Sequence, residues 1–347
     1  MNIYTKILLL TLFLFVSSCS IIDEFLGTSD EVAQSDEVAQ SDEMDHEHEE
    51  EEKDHDHDED HEHEEEKDHD HDEDHEHEEE QMRMEKEEQM RMEMEAGAII
   101  ESVNISSDPS YEYFDRYTDV GTLRIFALPE VSDEYLIKVA AIYKLIFDED
   151  NPNIDRNLKN KFFQTMKDDS VYQRVGYKDG DFYDLGSENS KIDHPGNNYE
   201  DNQTDFIWEP EGSDDPTGEI IEHSLHTITN VAFRLMSSDW DYKNSSSKIR
   251  LAYQEAVNNG VFNEDFYKRI PSEDFMKITT QEYFFWVIIT EWDLGYLWDL
   301  PNEEFSIKNK EELAEKLPLS HQLYQDFVIK ILTPLDGDLV SAIINNN

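Results

Sequence analysis

The spacing of apolar residues predicts helices and a few short strands in the chain beyond residue 97. Short apolar runs at 121–128 and 171–177 predict strands. The stretch 178–215 is rich in Asp, Asn, Gly and Pro and predicts a long loop region with short strands, as at 206–208. Apolar positions recur at helical spacing over seven segments: 133–147, 155–167, 217–236, 247–259, 273–299, 309–316 and 320–332. The predicted fold class is α+β, a helix-dominated single domain over 97–347 with a small sheet.

The pattern before residue 97 is repetitive and almost free of core-forming residues. Residues 29–96 contain no aromatic side chain, and the segment 53–66 recurs unchanged at 67–80. Such a segment cannot bury enough apolar surface to offset its chain entropy. Residues 19–96 are therefore predicted to be a disordered spacer, extended by charge repulsion. Glu/Arg and Glu/Lys pairs in the near-copies 81–88 and 89–96 favour a nascent helix there as an alternative.

Composition narrows the class of protein. The chain of 347 residues has 84 Asp+Glu against 28 Lys+Arg, a formal net charge of −56, and residues 20–96 hold 37 acidic and five basic side chains. This balance argues against nucleic-acid binding and against polybasic contact with an anionic membrane. A single cysteine excludes an internal disulfide and a Cys-based zinc site.

The first nineteen residues have the proportions of an export signal. The apolar run 7–16 follows Lys6 and is too short to cross a bilayer as a helix, which takes about 20 residues. The following Val-Ser-Ser-Cys at 16–19 resembles the lipobox of bacterial lipoproteins. The resemblance implies removal of residues 1–18 and acylation of Cys19, hence a lipid anchor to a membrane of the bacterial cell envelope, at the outer membrane or the cell surface. An ordinary signal peptide with an incidental Cys19 is the alternative.

Ten of the fourteen histidines lie in the spacer, where they alternate with Asp and Glu. Imidazole and carboxylate groups at short separations suit weak binding of several Zn²⁺, Ni²⁺ or Cu²⁺ ions. The alternative is a solubilising segment in which the histidines are incidental. No catalytic role is assigned to them, because such a role requires a packed cavity. These residues are His46, His48, His55, His57, His61, His63, His69, His71, His75 and His77.

The loop between the first two predicted helices offers a possible calcium site. Asp148, Asp150 and Asp155 alternate as in calcium-binding loops, in which oxygens converge on the ion. The pattern departs from that of such loops at Pro152 and Asn153. A turn whose acidic side chain caps the next helix explains the same residues.

The predicted helix 217–236 carries a polar face. At 100° per residue, four side chains fall within about 60° of one another: Glu219, His223, His226 and Asn230. Glu222 lies beside this face, and the opposite arc is apolar and includes Leu235. Two histidines three residues apart can chelate one ion. A polar stripe opposite an apolar face is equally typical of a solvated helix surface.

The predicted helix 273–299 is apolar on nearly every side, which is typical of a buried helix. Glu282 lies within it. Burying a bare carboxylate costs several kcal/mol, so Glu282 is expected to be paired, protonated or coordinated. A metal ion, Lys or Arg, or the pair His223 and His226 are the candidate partners.

Two histidines on one helix and a glutamate on a later one resemble the ligand set of gluzincin-type zinc metallopeptidases. The chain is also similar to exported bacterial proteins with the motif E-H-x-x-H-T-I-T followed by E-Y-x-x-W. The first resemblance implies that His223, His226 and Glu282 bind zinc, with Glu222 as general base and Tyr283 as oxyanion donor. The chain departs from those peptidases because it has no H-E-x-x-H sequence.

Together these features predict a surface-anchored lipoprotein. Its folded domain is expected to be a zinc-dependent hydrolase acting on a protein or peptide substrate, with the spacer concentrating divalent metal ions near the site. The alternative is a non-catalytic lipoprotein for metal capture or adhesion.

Overall fold

The computed structural model describes residues 72–111, 113–177, 195, 199, 205–212 and 215–346. Cys19, the histidines from His46 to His71, and the side chains of His75 and His77 lie outside the described residues. The described chain divides into a unit at 88–346 and the described part of a second unit at 72–87. No helix among the described residues is both long and apolar enough to cross a membrane.

The first helix, α1 (Asp72–Glu101), begins inside the segment predicted to be a spacer and crosses residue 97. The repeats at 81–96 lie in this helix, as the alternative prediction had it, and the prediction of disorder there is corrected. Arg91 stabilises this helix, because its guanidinium pairs with Glu88 and Glu95, which lie one turn away on either side. Ala96 near the end of α1 is fully buried.

A five-stranded mixed sheet lies at one side of the domain. Its strands are β1 (Ser106–Ser107), β2 (Arg116–Val120), β3 (Leu123–Ala127), β4 (Tyr172–Tyr177) and β5 (Phe206–Glu209), in that order across the sheet. The pairs β1/β2 and β2/β3 are antiparallel, whereas β3/β4 and β4/β5 are parallel. Strands β3, β4 and β5 confirm the sequence prediction. Strands β1 and β2 were not predicted, because neither contains an apolar run.

Two predicted helices connect β3 to β4. Helix α2 (Asp133–Ile146) begins where the Ser132 hydroxyl accepts a hydrogen bond from the N–H of Tyr135. Helix α3 (Arg156–Asp168) begins at Asp155, whose carboxylate accepts from two backbone N–H groups. Both bounds agree with the predicted ones to within a residue or two.

The remaining helices make up most of the domain. They are α4 (Thr217–His226), a π-helical segment (Thr227–Phe233), α5 (Arg234–Met236), α6 (Lys248–Asn258), α7 (Ser272–Glu291), α8 (Lys310–Lys316), α9 (Pro318–Leu323), a second π-helical segment (Tyr324–Val328) and α10 (Gly337–Ile344). Short 3₁₀ turns occur at Ser238–Trp240, Glu264–Tyr267 and Gly295–Trp298. Helix α10 was not predicted. The helix-dominated fold with a small sheet confirms the predicted class.

Helix α7 is the centre of the core. All fourteen of its residues from Ile278 to Glu291 are buried. Helix α4 packs against both α7 and β5, so its polar face is enclosed between them. This packing places the histidines of α4 in the interior.

The π-helical segment after α4 changes which residues face the core. Periodicity had placed Leu235 on the apolar face, yet its side chain is 39 % exposed, while Phe233 is fully buried. Because π-helical bonds run from i to i+5, they widen the turn and shift the phase of everything that follows. The prediction for Leu235 was therefore wrong.

Candidate metal centre

The polar face of α4 is buried. His223 is 3 % and His226 1 % exposed, so the prediction of a solvated helix surface is wrong for these two residues. Glu219 and Glu222 on the same helix are half-buried. The ring of His226 packs edge-on to Phe285 of α7, with the ring centroids 5.9 Å apart.

Helix α7 presents Glu282 to this face, as predicted, and the glutamate is 7 % exposed. The next residue, Tyr283, points elsewhere: its hydroxyl is hydrogen-bonded to Ser320, and its ring packs against Tyr253 and Phe262. These contacts engage its hydroxyl and hold its ring among residues other than His223, His226 and Glu282. Tyr283 is therefore not available as the oxyanion donor that the resemblance implied.

The imidazole of His226 lies between two carboxylates. Its Nδ1 is 3.1 Å from Asp205 Oδ2, within hydrogen-bond distance. Its Nε2 is 3.6 Å from Glu282 Oε2, too far for a hydrogen bond, and this buried nitrogen has no hydrogen-bond partner. A buried polar atom without a partner costs about 1–3 kcal/mol, so the position favours a proton or a cation beside Nε2.

A chain of side-chain amides fixes Asp205. Gln281 of α7 donates from Nε2 to Asp205 Oδ2 at 2.7 Å and lies 3.0 Å from His226 Nδ1. Asn230, in the π-helical segment, donates to Gln281 Oε1 at 2.7 Å and so fixes the orientation of that amide. Gln173 of β4 donates to the backbone carbonyl of Asp205 at 2.6 Å. Both the main chain and the side chain of Asp205 are thereby held in place.

His223 also lies among carboxylates. Its Nε2 is 3.5 Å from Glu219 Oε1, and its Nδ1 is 3.7 Å from Asp205 Oδ2 and has no hydrogen-bond partner. Glu219 Oε1 in turn accepts a hydrogen bond from the N–H of Trp208 at 2.8 Å.

Two sets of potential metal ligands meet here, and they share His226. One consists of Glu222, His226 and Glu282, the other of Asp205, His223 and His226; within each set, one ligand atom per residue lies within 4.8 Å of the others. We call these five residues together with Glu219 the His226 cluster. The predicted trio His223, His226 and Glu282 is thus brought together, although divided between two sets. Imidazole and carboxylate donors with buried, unpartnered nitrogens fit a divalent metal ion; the identity of the metal is left open.

Among the described residues, neither Lys nor Arg forms an ion pair with any carboxylate of the cluster. Burial raises the pKa of Glu222 from 4.5 to about 7, and burial together with the charge of Glu222 raises that of Glu282 well above its ordinary value. Protons occupy these sites where a metal ion is absent.

The histidines and Asp205 respond to the same charges. Burial alone would lower the pKa of His223, but Glu219, Asp205 and Glu222 raise it well above its ordinary value. Burial lowers the pKa of His226. Burial would raise the pKa of Asp205, yet the two neighbouring histidines hold it well below its ordinary value. Asp205 therefore favours its ionised form.

A further carboxylate, Glu304, lies near the cluster and acts electrostatically on Glu222 and Glu282. It accepts hydrogen bonds from Trp286 Nε1 at 2.8 Å and from the hydroxyl of Tyr267. Burial raises the pKa of Glu304.

In the 148–155 loop, the other predicted metal site, carboxylate oxygens accept hydrogen bonds from nearby backbone N–H groups. Asp148 Oδ1 accepts from the N–H of Glu149 and Asp150, and Asp155 Oδ1 accepts from two N–H groups of α3. The buried Lys159 donates from Nζ to the carbonyl of Asp148 at 2.5 Å, placing a cation in the loop. Both converging ligand sets found among the described residues lie in the His226 cluster. The capping alternative accounts for this loop better than calcium does.

Sequence reasoning missed Asp205, Gln281 and Glu304. Asp205 stands directly before the apolar run 206–208, and an acid at the start of a buried strand was the one available signal. Gln281 adjoins Glu282 and belongs to the same buried stretch of α7. The other histidine described outside the cluster, His321, lies 2.7 Å from Glu291 Oε1.

Comparison of the chain with protein-family models, with curated proteins and with solved structures finds no match.

Proposed function

We propose that this protein is a metal-binding lipoprotein of the bacterial cell envelope whose folded part captures a divalent transition-metal ion between Glu222, His226 and Glu282. The observation that carries the proposal is the buried, unpartnered Nε2 of His226, which lies 3.6 Å from Glu282 Oε2. In a tetrahedral site with bonds of about 2.0–2.1 Å, neighbouring ligand atoms lie about 3.3 Å apart. A cation would therefore need little rearrangement of these side chains.

The donor set favours zinc and its neighbours in the transition series. One imidazole nitrogen with carboxylate oxygens suits Zn²⁺, Cu²⁺ or Ni²⁺, whereas Ca²⁺ takes six to eight oxygens. Asp205 supplies the carboxylate partner that metal-bound histidines commonly have, because a carboxylate on Nδ1 of His226 fixes the ring and leaves Nε2 free for the metal.

The remainder of the proposal rests on the sequence. The lipobox at 16–19 supports a lipid anchor on Cys19, and the ten histidines between His46 and His77 support weak metal binding near that anchor. Such a chain would hold many ions loosely along its spacer and one ion tightly in its folded part.

The test is the stabilisation of the folded part by Zn²⁺ in the full chain. At a free zinc concentration 100 times the dissociation constant, the free energy of unfolding should rise by about 2.7 kcal/mol. Thermal unfolding followed by tryptophan fluorescence measures this rise, since all five Trp residues lie beyond residue 200. Glu282→Gln should lower it.

Tyr283→Phe is the matched control, because Tyr283 adjoins Glu282 on α7 but points away from the cluster. Zinc should raise the free energy of unfolding of this variant by as much as that of wild type, whatever its stability without zinc. Zinc bound to the histidines at 46–77 is common to all three chains. An equal zinc effect in wild type and Glu282→Gln would refute the site.

A second candidate function is zinc-dependent hydrolysis of a protein or peptide. Glu222 favours it, because its carboxylate lies within 4.8 Å of the ligand atoms of His226 and Glu282, where it could take a proton from a bound water. Its pKa of about 7 suits a general base at neutral pH. Against it, the oxyanion donor implied by the resemblance is turned away.

Incubating the zinc-loaded full chain with casein tests this second function. Peptide release by wild type that falls at least 100-fold in Glu222→Gln, with zinc binding retained, would establish catalysis. Equal release by the two chains, or none from either, would leave metal capture as the function.

A further inference from the structure

The two ligand sets of the His226 cluster lie on opposite nitrogens of one imidazole ring. Glu282 lies on the Nε2 side and Asp205 on the Nδ1 side. Glu222 is grouped with Glu282, and His223 with Asp205. We propose that the cluster binds two divalent cations bridged by His226, the second one held by Asp205, His223 and His226 Nδ1. This inference rests on the proposed function, since it adds a second ion to the proposed site.

The distances on the Nδ1 side are those of a ligand set. Asp205 Oδ2 lies 3.1 Å from His226 Nδ1 and 3.7 Å from His223 Nδ1. These values bracket the separation of about 3.3 Å between neighbouring ligand atoms of a tetrahedral zinc ion. Two ions on opposite nitrogens of one ring would lie about 6 Å apart, given metal–nitrogen bonds of about 2.0 Å on each side.

The second observation is the Nδ1 atom of His223. The residue is 97 % buried, and this nitrogen has no hydrogen-bond partner although it faces Asp205. If His223 only packed in the core, this atom would leave a buried polar group unsatisfied at a cost of about 1–3 kcal/mol. A cation between Nδ1 and Asp205 removes that cost.

The balance of charge points the same way. Five carboxylates lie in or beside the cluster, and among the described residues none forms an ion pair with Lys or Arg: Asp205, Glu219, Glu222, Glu282 and Glu304. One divalent ion leaves three of five negative charges uncompensated if all five groups are ionised. Two leave one. Buried charges require compensation, so the second ion accounts for a carboxylate excess that the first does not.

The competing arrangement has a single ion on Nε2, with Asp205 accepting the Nδ1 proton of His226. In the two-cation arrangement, the second ion replaces that proton, which passes to solvent and leaves an imidazolate between the metals. Zn²⁺ and Cu²⁺ both accept imidazole ligands, and zinc alone is the probe because it has no redox chemistry.

The two arrangements differ in zinc stoichiometry among single variants of the full chain. Zinc per chain is measured by mass spectrometry after loading and exhaustive dialysis. Relative to wild type, Glu282→Gln should lose one zinc, His223→Gln should lose one, and His226→Gln should lose two because it belongs to both sets. Zinc retained by the histidines at 46–77 is the same in all four chains and cancels in these differences.

Asp205→Asn, which preserves the shape of the side chain, should also lose one zinc and serves as the second variant if His223→Gln fails to fold. Circular dichroism establishes folding in each case, and Tyr283→Phe should lose none. Loss of one zinc in His226→Gln, with none in His223→Gln and Asp205→Asn, would overturn the second ion and leave the proposed function intact. Equal zinc in all chains would overturn both.

Discussion

Two acidic regions of this protein, the 148–155 loop and the His226 cluster, were predicted from the sequence as metal sites. They differ in whether backbone N–H groups satisfy their carboxylates. In the 148–155 loop, the carboxylates of Asp148 and Asp155 accept hydrogen bonds from backbone N–H groups, and Lys159 supplies a cation. In the His226 cluster, Glu222 and Glu282 lie on helices whose backbone N–H groups are already used within the helix. Their charges are left to side chains, protons or metal ions.

The difference concerns where an acidic residue lies in its element. A carboxylate at a turn or helix start finds free N–H groups nearby and is satisfied locally. A carboxylate within a buried helix finds no free N–H group. Burial raises its pKa, so it is protonated unless a cation lies beside it. In this protein, the acidic residues inside apolar helices indicate a metal site better than those of the 148–155 loop do.

The largest effect that would sharpen this contrast is the pH dependence of stability that the cluster contributes. Without metal, the native state holds a proton on Glu222 up to a pH of about 7, whereas the unfolded state releases it near 4.5. The free energy of unfolding should therefore fall by about 3 kcal/mol as the pH rises from 4.5 to 7. His223, whose pKa is raised above 6.5, adds to the loss at higher pH.

Urea unfolding in the presence of a chelator measures this fall at pH 5 and pH 8. Glu222→Gln should reduce it by about 3 kcal/mol, because the amide cannot ionise. Asp150→Ala, in the other acidic region, should leave it unchanged. The same slope in wild type and Glu222→Gln would contradict the contrast between the two regions.

A smaller effect is expected in the loop. Asp155→Ala removes the cap of α3 and should cost about 1 kcal/mol at neutral pH, with no response of either chain to added Ca²⁺. Asp150→Ala, an exposed position one turn earlier, should cost less than about 0.5 kcal/mol. Calorimetric calcium binding that is lost in Asp155→Ala would show that the loop had been misassigned.

Much of the cluster could be predicted because its helices obey simple periodicity. His223 and His226 share a face at a spacing of three, and Glu282 lies inside an apolar run long enough to require burial. The fold class followed from the same periodicity. The calcium site stays a prediction, because alternating aspartates describe a capped turn as well as a calcium loop.

Other parts of the site could not be predicted, for physical reasons. Asp205 reaches His226 through tertiary packing of β5 against α4, which no local pattern encodes. The role assigned to Tyr283 came from a resemblance, whereas its tertiary contacts with Ser320, Tyr253 and Phe262 turn its side chain away from Glu282. The prediction for Leu235 assumed an unbroken period of 3.6 residues, which the π-helical segment interrupts.

The π-helical segment Thr227–Phe233 has a consequence for how this helix tolerates insertions and deletions. It divides the helix into two parts that differ in rotational phase. The first part carries the potential ligands His223 and His226, and the second carries the core residues Phe233 and Met236. In an α-helix, one residue gained or lost turns all that follows by about 100°. Here a single deletion within the segment could be absorbed by tightening wide turns into α-helical ones. The segment thus gives this helix a place where one residue can be lost while the residues after it keep their orientation.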